Sequence, residues 1–238
     1  MENRYDGLLI EYNQEILGLH PSSIPMWNML AHEIAKVHVF KTSFIYGIAF
    51  DVLEIGAGEG DATLPVLEKT SAGIRVLDIS EEMISRCKER FKNHPKKHCL
   101  SFGFGSSDAF SYLRWANENN QRNSIVYASQ VVHNFKQEDK KRLFRAVWAN
   151  LSPGGTFLLY DKIYPDEGWE KLLEAQQRRY EYLPPHVCRA IQEHELEDAS
   201  DEYRMHETET FTHLKAAGFS SVRIIDRIER DLLIIATK

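Results

Sequence analysis

The stretch Asp51-Val-Leu-Glu-Ile-Gly-Ala-Gly-Glu-Gly-Asp61 decides how this 238-residue chain can be interpreted. Its first half is apolar without alternation, which is typical of a central strand buried on both faces. Three glycines then alternate with single residues, and this spacing predicts a sharp turn to which a ligand can come close, because a Cβ at any of them would crowd both the bend and the bound molecule. Residues 61–69 are compatible with a helix, so we expect the ligand at a helix N-terminus.

A second apolar segment, residues 73–78, ends in the carboxylate of Asp78. A glycine-rich first turn followed by an acid at the tip of the next strand is how a doubly wound sheet holds the hydroxyls of a ribose. The glycine spacing is G-x-G-x-G, whereas dinucleotide sites favour G-x-G-x-x-G. The pattern therefore indicates a nucleoside site and disfavours a nicotinamide oxidoreductase.

Four motifs occur in the order typical of one enzyme family. They are residues 53–60, 77–80, 107–110 and 151–155. In these motifs the chain resembles the class I S-adenosylmethionine-dependent methyltransferases, and specifically those of the small-molecule, O-methyltransferase-like type. The resemblance implies an α/β fold with a doubly wound, mostly parallel, seven-stranded sheet. It also implies S-adenosyl-L-methionine as the cofactor and S-adenosyl-L-homocysteine as the product.

The resemblance assigns residues to the cofactor by their positions in these motifs. They are Glu54, Gly56, Ala57, Gly58, Gly60, Asp78, Ile79, Met83, Asp108, Ala109, Phe110, Ser129 and Gln130. Ile79 and Met83 would line the adenine, and Asp108 would accept a hydrogen bond from its amino group. Asp108 could also cap the helix that follows, and the two roles are compatible.

The segment after the fourth predicted strand carries the candidate base. Residues 132–135, Val-His-Asn-Phe, are similar to the turn of small-molecule O-methyltransferases that begins His-Asp-Trp and supplies the general base. An imidazole with a pKa of about 6.5 can take a proton from a hydroxyl as the oxygen attacks the methyl group. His133 could instead make a local hydrogen bond or contact the cofactor, so both roles stay open here.

Helical segments are expected on either side of the first five strands. We expect residues 1–47 to form a helical cap and residues 48–238 the methyltransferase domain, with residues 162–210 as a helical lid inserted after the fifth strand. In the family, such segments form part of the acceptor pocket. The residues expected there are Tyr12, Trp27, His32, Tyr182 and His186. The aromatic ones could instead anchor the helices to the core.

Composition restricts the remaining possibilities. A net charge of −6 argues against a nucleic-acid substrate, and three widely separated cysteines predict reduced thiols and a cytoplasmic protein. No apolar run reaches the ~18 residues needed to span a membrane. The segment His194-Glu-Leu-Glu-Asp198 is expected to be a solvated helix face, so no metal site is expected. The oligomeric state is left open.

The leading functional hypothesis is methylation of a small molecule, most simply at a hydroxyl oxygen, with His133 as the candidate general base. The chain also loosely resembles the carboxy-S-adenosylmethionine synthases, although that group lacks the histidine at this turn. A third hypothesis is a nucleoside-binding scaffold that has kept the fold without catalysis.

Overall fold

The computed structural model describes residues 7–41, 51–103 and 107–238, with the backbone alone described at 39–41. Three helices come first: α1 (Leu8–Glu11), α2 (Asn13–Gly18) and α3 (Ser23–Lys41). The predicted boundary between cap and domain, near residue 47, lies outside the described residues. The division into 1–47 and 48–238 therefore stays a prediction.

A mixed sheet follows, with helices on both faces. Its first five strands are β1 (Val52–Ile55), β2 (Ile74–Leu77), β3 (Leu100–Ser101), β4 (Asn123–Ser129) and β5 (Leu151–Tyr164). The helices between them are α4 (Thr63–Lys69), α5 (Glu81–Phe91), α6 (Ala109–Glu118) and α7 (Gln137–Asn150). These five strands are parallel, as expected when each is followed by a crossover helix.

The rest of the chain forms the insertion and the closing strands. These elements are α8 (Trp169–Arg179), a 3₁₀ turn (Tyr180–Tyr182), α9 (Pro185–Asp198), β6 (Met205–His206), α10 (Glu207–Ala217), β7 (Ser221–Ile228) and β8 (Asp231–Thr237). The strand order is β3-β2-β1-β4-β5-β8-β7, with β7 and β8 antiparallel. The predicted doubly wound architecture is confirmed: seven strands lie along this path, and β6 pairs with the end of β5.

Two of the parallel strands differ strongly in length. β3 has two residues. β5 has fourteen residues. It is longer because neighbours pair with it at both ends: Leu151 pairs with Asn123 of β4, and Lys162 pairs with Asp231 of β8.

The apolar strands are buried on both faces, as their lack of alternation indicates. Leu53 and Val126 belong to a core cluster with residues of α6, α7 and α10. Val52 and Ile125 belong to a second cluster with residues of α3, α4 and α5. The strand order reverses between β1 and β4, so the carboxyl ends of these two strands flank a crevice where this class of sheet binds ligands.

A smaller apolar cluster joins the first helices to the insertion. Leu9 and Ile16 pack with Tyr180, Val187 and Ile191, and all five side chains are buried. The helices before the sheet and the insertion after β5 therefore cover the crevice together.

Candidate active site

The three glycines of the loop after β1 differ in what surrounds them. All have positive φ, at 70° for Gly56, 55° for Gly58 and 88° for Gly60. A Cβ on Gly56 would lie 2.3 Å from Val131, and one on Gly60 would lie 2.5 Å from Phe91. No atom lies within 4 Å of a Cβ built on Gly58. Gly60 therefore makes room for protein packing, which corrects the expectation that each glycine makes room for the ligand.

Asp78 joins the glycine loop to the start of α5. Its Oδ2 atom accepts the backbone N–H of Gly58 at 2.8 Å, and its Oδ1 atom accepts that of Ser80 at 2.9 Å. Ser80 in turn caps α5, since its hydroxyl accepts the N–H of Met83 at 3.2 Å. Burial raises the pKa of Asp78. Each carboxylate oxygen keeps a further lone pair, so Asp78 can still accept from ribose hydroxyls.

Glu54 lies beneath the loop. Its side chain is fully buried, and its Oε2 atom accepts the hydroxyl of Thr63 at 2.6 Å. Burial raises the pKa of Glu54 to about 8. Glu54 does not line the cavity described next, because its carboxyl group is directed to the first turn of α4.

A cavity lies over the carboxyl ends of β1, β2 and β4. The predicted site residues that line it are Trp27, Gly56, Ala57, Gly58, Asp78, Ile79, Met83, Ser129, Gln130 and His133. Residues that line it without having been predicted include Asn13, Ile16, Leu17, His20, Ser23, Lys162, Ile191 and Glu195. These additional residues come from α2, the start of α3, the end of β5 and α9.

The predicted adenine-binding residues after β3 lie outside this cavity lining. Asp108 caps α6, because its carboxylate accepts the N–H of Ser111 at 3.0 Å. Ala109 is buried in the core, and Phe110 packs edge-on against Phe135 with ring centroids 5.8 Å apart. The capping role predicted for Asp108 is confirmed, while its contact with adenine stays a prediction.

Of the five residues predicted to contact the acceptor, Trp27 lines the cavity. Its indole N–H donates to the hydroxyl of Ser129 at 3.1 Å. His32 is exposed because it lies five positions further along α3, which turns it about 140° away from Trp27.

The other three predicted acceptor contacts also lie outside the cavity. Tyr12 packs edge-on against His186 with ring centroids 6.1 Å apart, which is the anchoring role left open by the sequence. Tyr182 is 87% exposed, since the 3₁₀ turn directs Tyr180 into the interior instead.

Ser129 and Gln130 form the tip of β4. Gln130 has a φ of 53°, a conformation that side chains other than glycine rarely adopt. Its backbone N–H donates to the carbonyl oxygen of Tyr160 at 2.8 Å, and its side-chain amide donates to Asp231 at 3.2 Å. These bonds hold the turn that directs the next three residues into the cavity wall.

The buried carboxylate of Asp161, at the end of β5, orients His133. Its Oδ1 atom lies 2.5 Å from Nδ1 of His133, and its Oδ2 atom accepts the backbone N–H groups of Val132 at 2.6 Å and Val131 at 3.2 Å. Burial opposes ionisation, but His133 and these donors hold the pKa of Asp161 below its usual value. In the neutral imidazole, this contact places the proton on Nδ1 and leaves the lone pair on Nε2.

Five charged side chains meet behind His133 in a network that the sequence did not predict. Lys162 Nζ lies 3.0 Å from Glu195 Oε1 and 2.7 Å from Asp198 Oδ2. Arg230 contacts Glu195 through both of its terminal nitrogens. With Asp161, the network holds three carboxylates and two cations, all buried. No local pattern marks these residues, because they lie on three separated segments.

The segment 194–198 was expected to be a solvated helix face, and that expectation was wrong. His194, Glu195 and Asp198 are buried, because Lys162 and Arg230 supply opposite charges inside. Burial lowers the pKa of His194 to about 4. Nε2 of His194 and Nε2 of His133 lie 3.5 and 3.6 Å from the same Asp198 oxygen. Three groups able to bind a metal ion therefore meet here, where none was expected.

Residues 52–155 match the model of a family described as a methyltransferase domain. This part of the chain is a methyltransferase domain of the class I S-adenosylmethionine-dependent type. The residues present suit the cofactor of this class, since Asp78 keeps free acceptor positions and the backbone at Gly58 is open to the cavity. Among the described residues of this methyltransferase, no helix combines the length and apolarity needed to cross a bilayer.

Individual proteins similar to this methyltransferase act in different ways. A carboxy-S-adenosyl-L-methionine synthase of Alteromonas mediterranea is 26% identical over 234 residues, covering 89% of this chain and 86% of that protein. The DszA carbon methyltransferase superposes with a TM-score of 0.64 at 15% identity, covering 92% of this chain and 55% of the other. An O-methyltransferase family protein from Burkholderia thailandensis superposes at 0.58 with 13% identity, covering 89% and 59%. The two structures share the fold, and this chain spans just over half their length.

Proposed function

We propose that this methyltransferase methylates a small molecule at a hydroxyl oxygen, with His133 as the general base. The observation that carries the proposal is the hydrogen-bonded pair of Asp161 and His133, of which His133 lines the cavity. Asp161 fixes the tautomer in which Nε2 can accept a proton, and it stabilises the positive charge that the ring then acquires. This is the arrangement that base-assisted attack by a hydroxyl requires.

The cofactor side supports the same proposal. Gly58, Asp78, Ile79 and Met83 would hold the nucleoside, and the bound cofactor supplies an electrophilic methyl group. Asp78 offers a carboxylate to the cofactor at this end of the cavity, while Glu59 and Asp61, which also line it, pair with Arg86 and Arg90. Holding the acceptor oxygen in line with the methyl group can contribute roughly 7 to 11 kcal/mol, and the base about a hundred- to ten-thousand-fold in rate.

The acceptor end supports a small, largely uncharged molecule. Ile16, Leu17, Trp27 and Ile191 provide apolar walls. The ammonium group of Lys162 already faces two carboxylates, so it does not offer a net positive charge to an acceptor.

The cysteines Cys87, Cys99 and Cys188 are unpaired in the structure, which supports the cytoplasmic location proposed with this function.

A second candidate is a carboxy-S-adenosylmethionine synthase, and the relative from Alteromonas mediterranea favours it. Such an enzyme must hold an additional carboxylate beside the sulfonium group. In the described part of the chain, no arginine lines the cavity, and Arg230 is fully engaged by Glu195. His133, together with the pairing of Lys162 and Arg230 with Glu195, favours hydroxyl methylation over this second candidate.

The test is turnover with a panel of hydroxylated small molecules, measured as S-adenosyl-L-homocysteine and methylated product by mass spectrometry. We expect His133→Gln to lower the rate about a hundred- to ten-thousand-fold while calorimetric binding of S-adenosyl-L-homocysteine is unchanged. Asp161→Asn, which removes the positioning carboxylate, should lower the rate by about a hundredfold, the lower end of that range. The exposed His186→Gln is the control and should keep the wild-type rate.

Three outcomes would contradict the proposal. Full turnover in His133→Gln would exclude the base role. Carboxy-S-adenosylmethionine in the purified protein would favour the second candidate. Binding of neither S-adenosyl-L-methionine nor S-adenosyl-L-homocysteine would exclude both enzymatic candidates.

A further inference from the structure

We propose that His133, His194 and Asp198 bind a divalent transition-metal ion such as zinc, and that the bound ion blocks the base function of His133. The two Nε2 atoms lie 3.6 and 3.5 Å from the same oxygen, Asp198 Oδ2. All three ligand atoms lie within 4.8 Å of one another, and the three side chains are buried. His133 and His194 also line the cavity, so an ion can reach them.

The separations suit a shared ion better than hydrogen bonds. A nitrogen-to-oxygen hydrogen bond is about 2.7 to 3.2 Å long. Two ligands that each lie about 2.1 Å from a tetrahedral zinc ion are about 3.5 Å apart. Both imidazole nitrogens are at this second distance from Asp198 Oδ2.

Asp161 provides the support that a metal-binding histidine usually has. It accepts the Nδ1 proton of His133, and a carboxylate in this position fixes the tautomer and makes the other nitrogen a better ligand. The lone pair of Nε2 then faces a carboxylate oxygen, which is repulsive unless a cation lies between them. A proton can bridge one such pair of atoms, whereas a metal ion bridges both histidines to Asp198.

The surrounding charges can accept another cation. Asp161, Glu195 and Asp198 carry three negative charges against the two positive charges of Lys162 and Arg230. Lys162 donates to Asp198 Oδ2 at 2.7 Å, but a carboxylate oxygen has a second lone pair. With neutral imidazoles the five charged groups therefore sum to one negative charge.

The consequence for activity rests on the proposed function. A metal ion on Nε2 of His133 occupies the lone pair that would take the acceptor proton. We therefore expect zinc to inhibit hydroxyl methylation and a chelator to restore it. Cofactor binding, which uses the other end of the cavity, should be unaffected by zinc.

The test uses the full chain after chelator treatment, titrated with Zn²⁺ by calorimetry and with Co²⁺ by its visible ligand-field absorption. We expect one ion per chain. His194→Gln should weaken zinc binding by at least about tenfold, and Asp161→Asn by about 10- to 100-fold. His186→Gln, an exposed histidine on the same helix, is the matched control and should bind as the wild type does. Thermal unfolding by circular dichroism verifies that each variant is folded.

Stoichiometric binding that depends on His194 would support the site. No binding of either ion by the wild type, or equal binding by a folded His194→Gln, would overturn it, and zinc binding without inhibition would overturn the blocking role. The two proposals fail separately. If the protein binds zinc but methylates no hydroxyl, only the proposed function is contradicted. If methylation depends on His133 but the protein binds no zinc, only the metal site is contradicted.

Discussion

The two ends of the cavity treat buried acids in opposite ways. At the cofactor end, Glu54 is buried beside the hydroxyl of Thr63, and burial raises its pKa to about 8. At the acceptor end, Arg230 and Lys162 hold the pKa of Glu195 well below its usual value although burial opposes this. The cofactor end therefore keeps Glu54 largely neutral, while the acceptor end keeps Glu195 and Asp198 ionised by pairing them with cations.

This difference follows from how each end is assembled. The cofactor end comes from two short segments, residues 54–63 and 78–83, which are joined by the hydrogen bonds that Asp78 accepts from backbone N–H groups. The acceptor end joins residues of β5, α9, the β7–β8 turn and a 3₁₀ turn after β4 (Val132–Asn134). A substitution at the cofactor end should therefore have a local effect. A substitution at the acceptor end should destabilise the whole network, because it leaves a buried charge without its partner.

The strongest test of this comparison removes one cation from the acceptor end. Arg230→Met leaves Glu195 buried without its main partner, and breaking a buried pair in this way costs about 3 to 5 kcal/mol. We expect a loss of that size in the free energy of unfolding measured with urea. Arg178→Met is the control, because Arg178 is exposed and pairs with Glu174 at the surface. It should change stability by less than about 0.5 kcal/mol, and an equal loss in both variants would contradict the paired-charge description.

A smaller effect on stability is expected from the glycine loop. Substitutions at Gly60 and Gly58 distinguish the effect of protein packing from the effect on cofactor binding. Gly60→Ala places a Cβ against Phe91 and should reduce the free energy of unfolding by about 1 to 3 kcal/mol. Gly58→Ala meets no protein atom, so its stability cost should be limited to about 1 kcal/mol from its positive φ.

Calorimetry with S-adenosyl-L-homocysteine then separates these two variants. Gly58→Ala should lose more cofactor affinity than Gly60→Ala, because its Cβ projects into the open space of the cavity. The reverse order would mean that the ligand does not contact the loop at Gly58.

A pH dependence from Glu54 is the smallest expected effect when it is expressed per pH unit. Its pKa rises from a usual value of 4.5 to about 8 on folding, so between these values the folded protein binds more protons than the unfolded chain. Stability should therefore fall as pH rises through this window, on the order of 1 kcal/mol per pH unit. Chemical unfolding of the cofactor-free protein at several pH values measures this slope. Glu54→Gln should remove it, and Glu68→Gln, an exposed position on α4, should keep it.

The sequence predicted features that depend on neighbours in the chain. The turn at Gly56 and the helix cap at Asp108 involve residues a few positions apart, and the spacing of Asp78 from the glycine loop indicated its role. His133 was found through its motif. The sequence did not indicate Asp161 as the partner of this histidine. The pairing of β4 with β5 and the turn after β4 bring Nδ1 of His133 to 2.5 Å from Oδ1 of Asp161 only in the folded protein.

The errors concern helical segments for which the sequence did not determine which side faces the cavity. His32 and Tyr182 were assigned to the pocket by residue type, and helix geometry turns both outward. The segment 194–198 was considered solvated because its charges are visible in the sequence and their partners are not. Lys162 and Arg230 lie about thirty residues away on either side.

The buried charge network also determines how this protein can be engineered. Glu195 and Asp198 belong to the insertion, whereas Lys162 and Arg230 belong to the sheet that receives it. A chimera that takes α9 from a relative without these acids would leave two cations uncompensated inside the recipient. The unit to graft when a different acceptor is wanted is therefore the helical insertion together with positions 162 and 230.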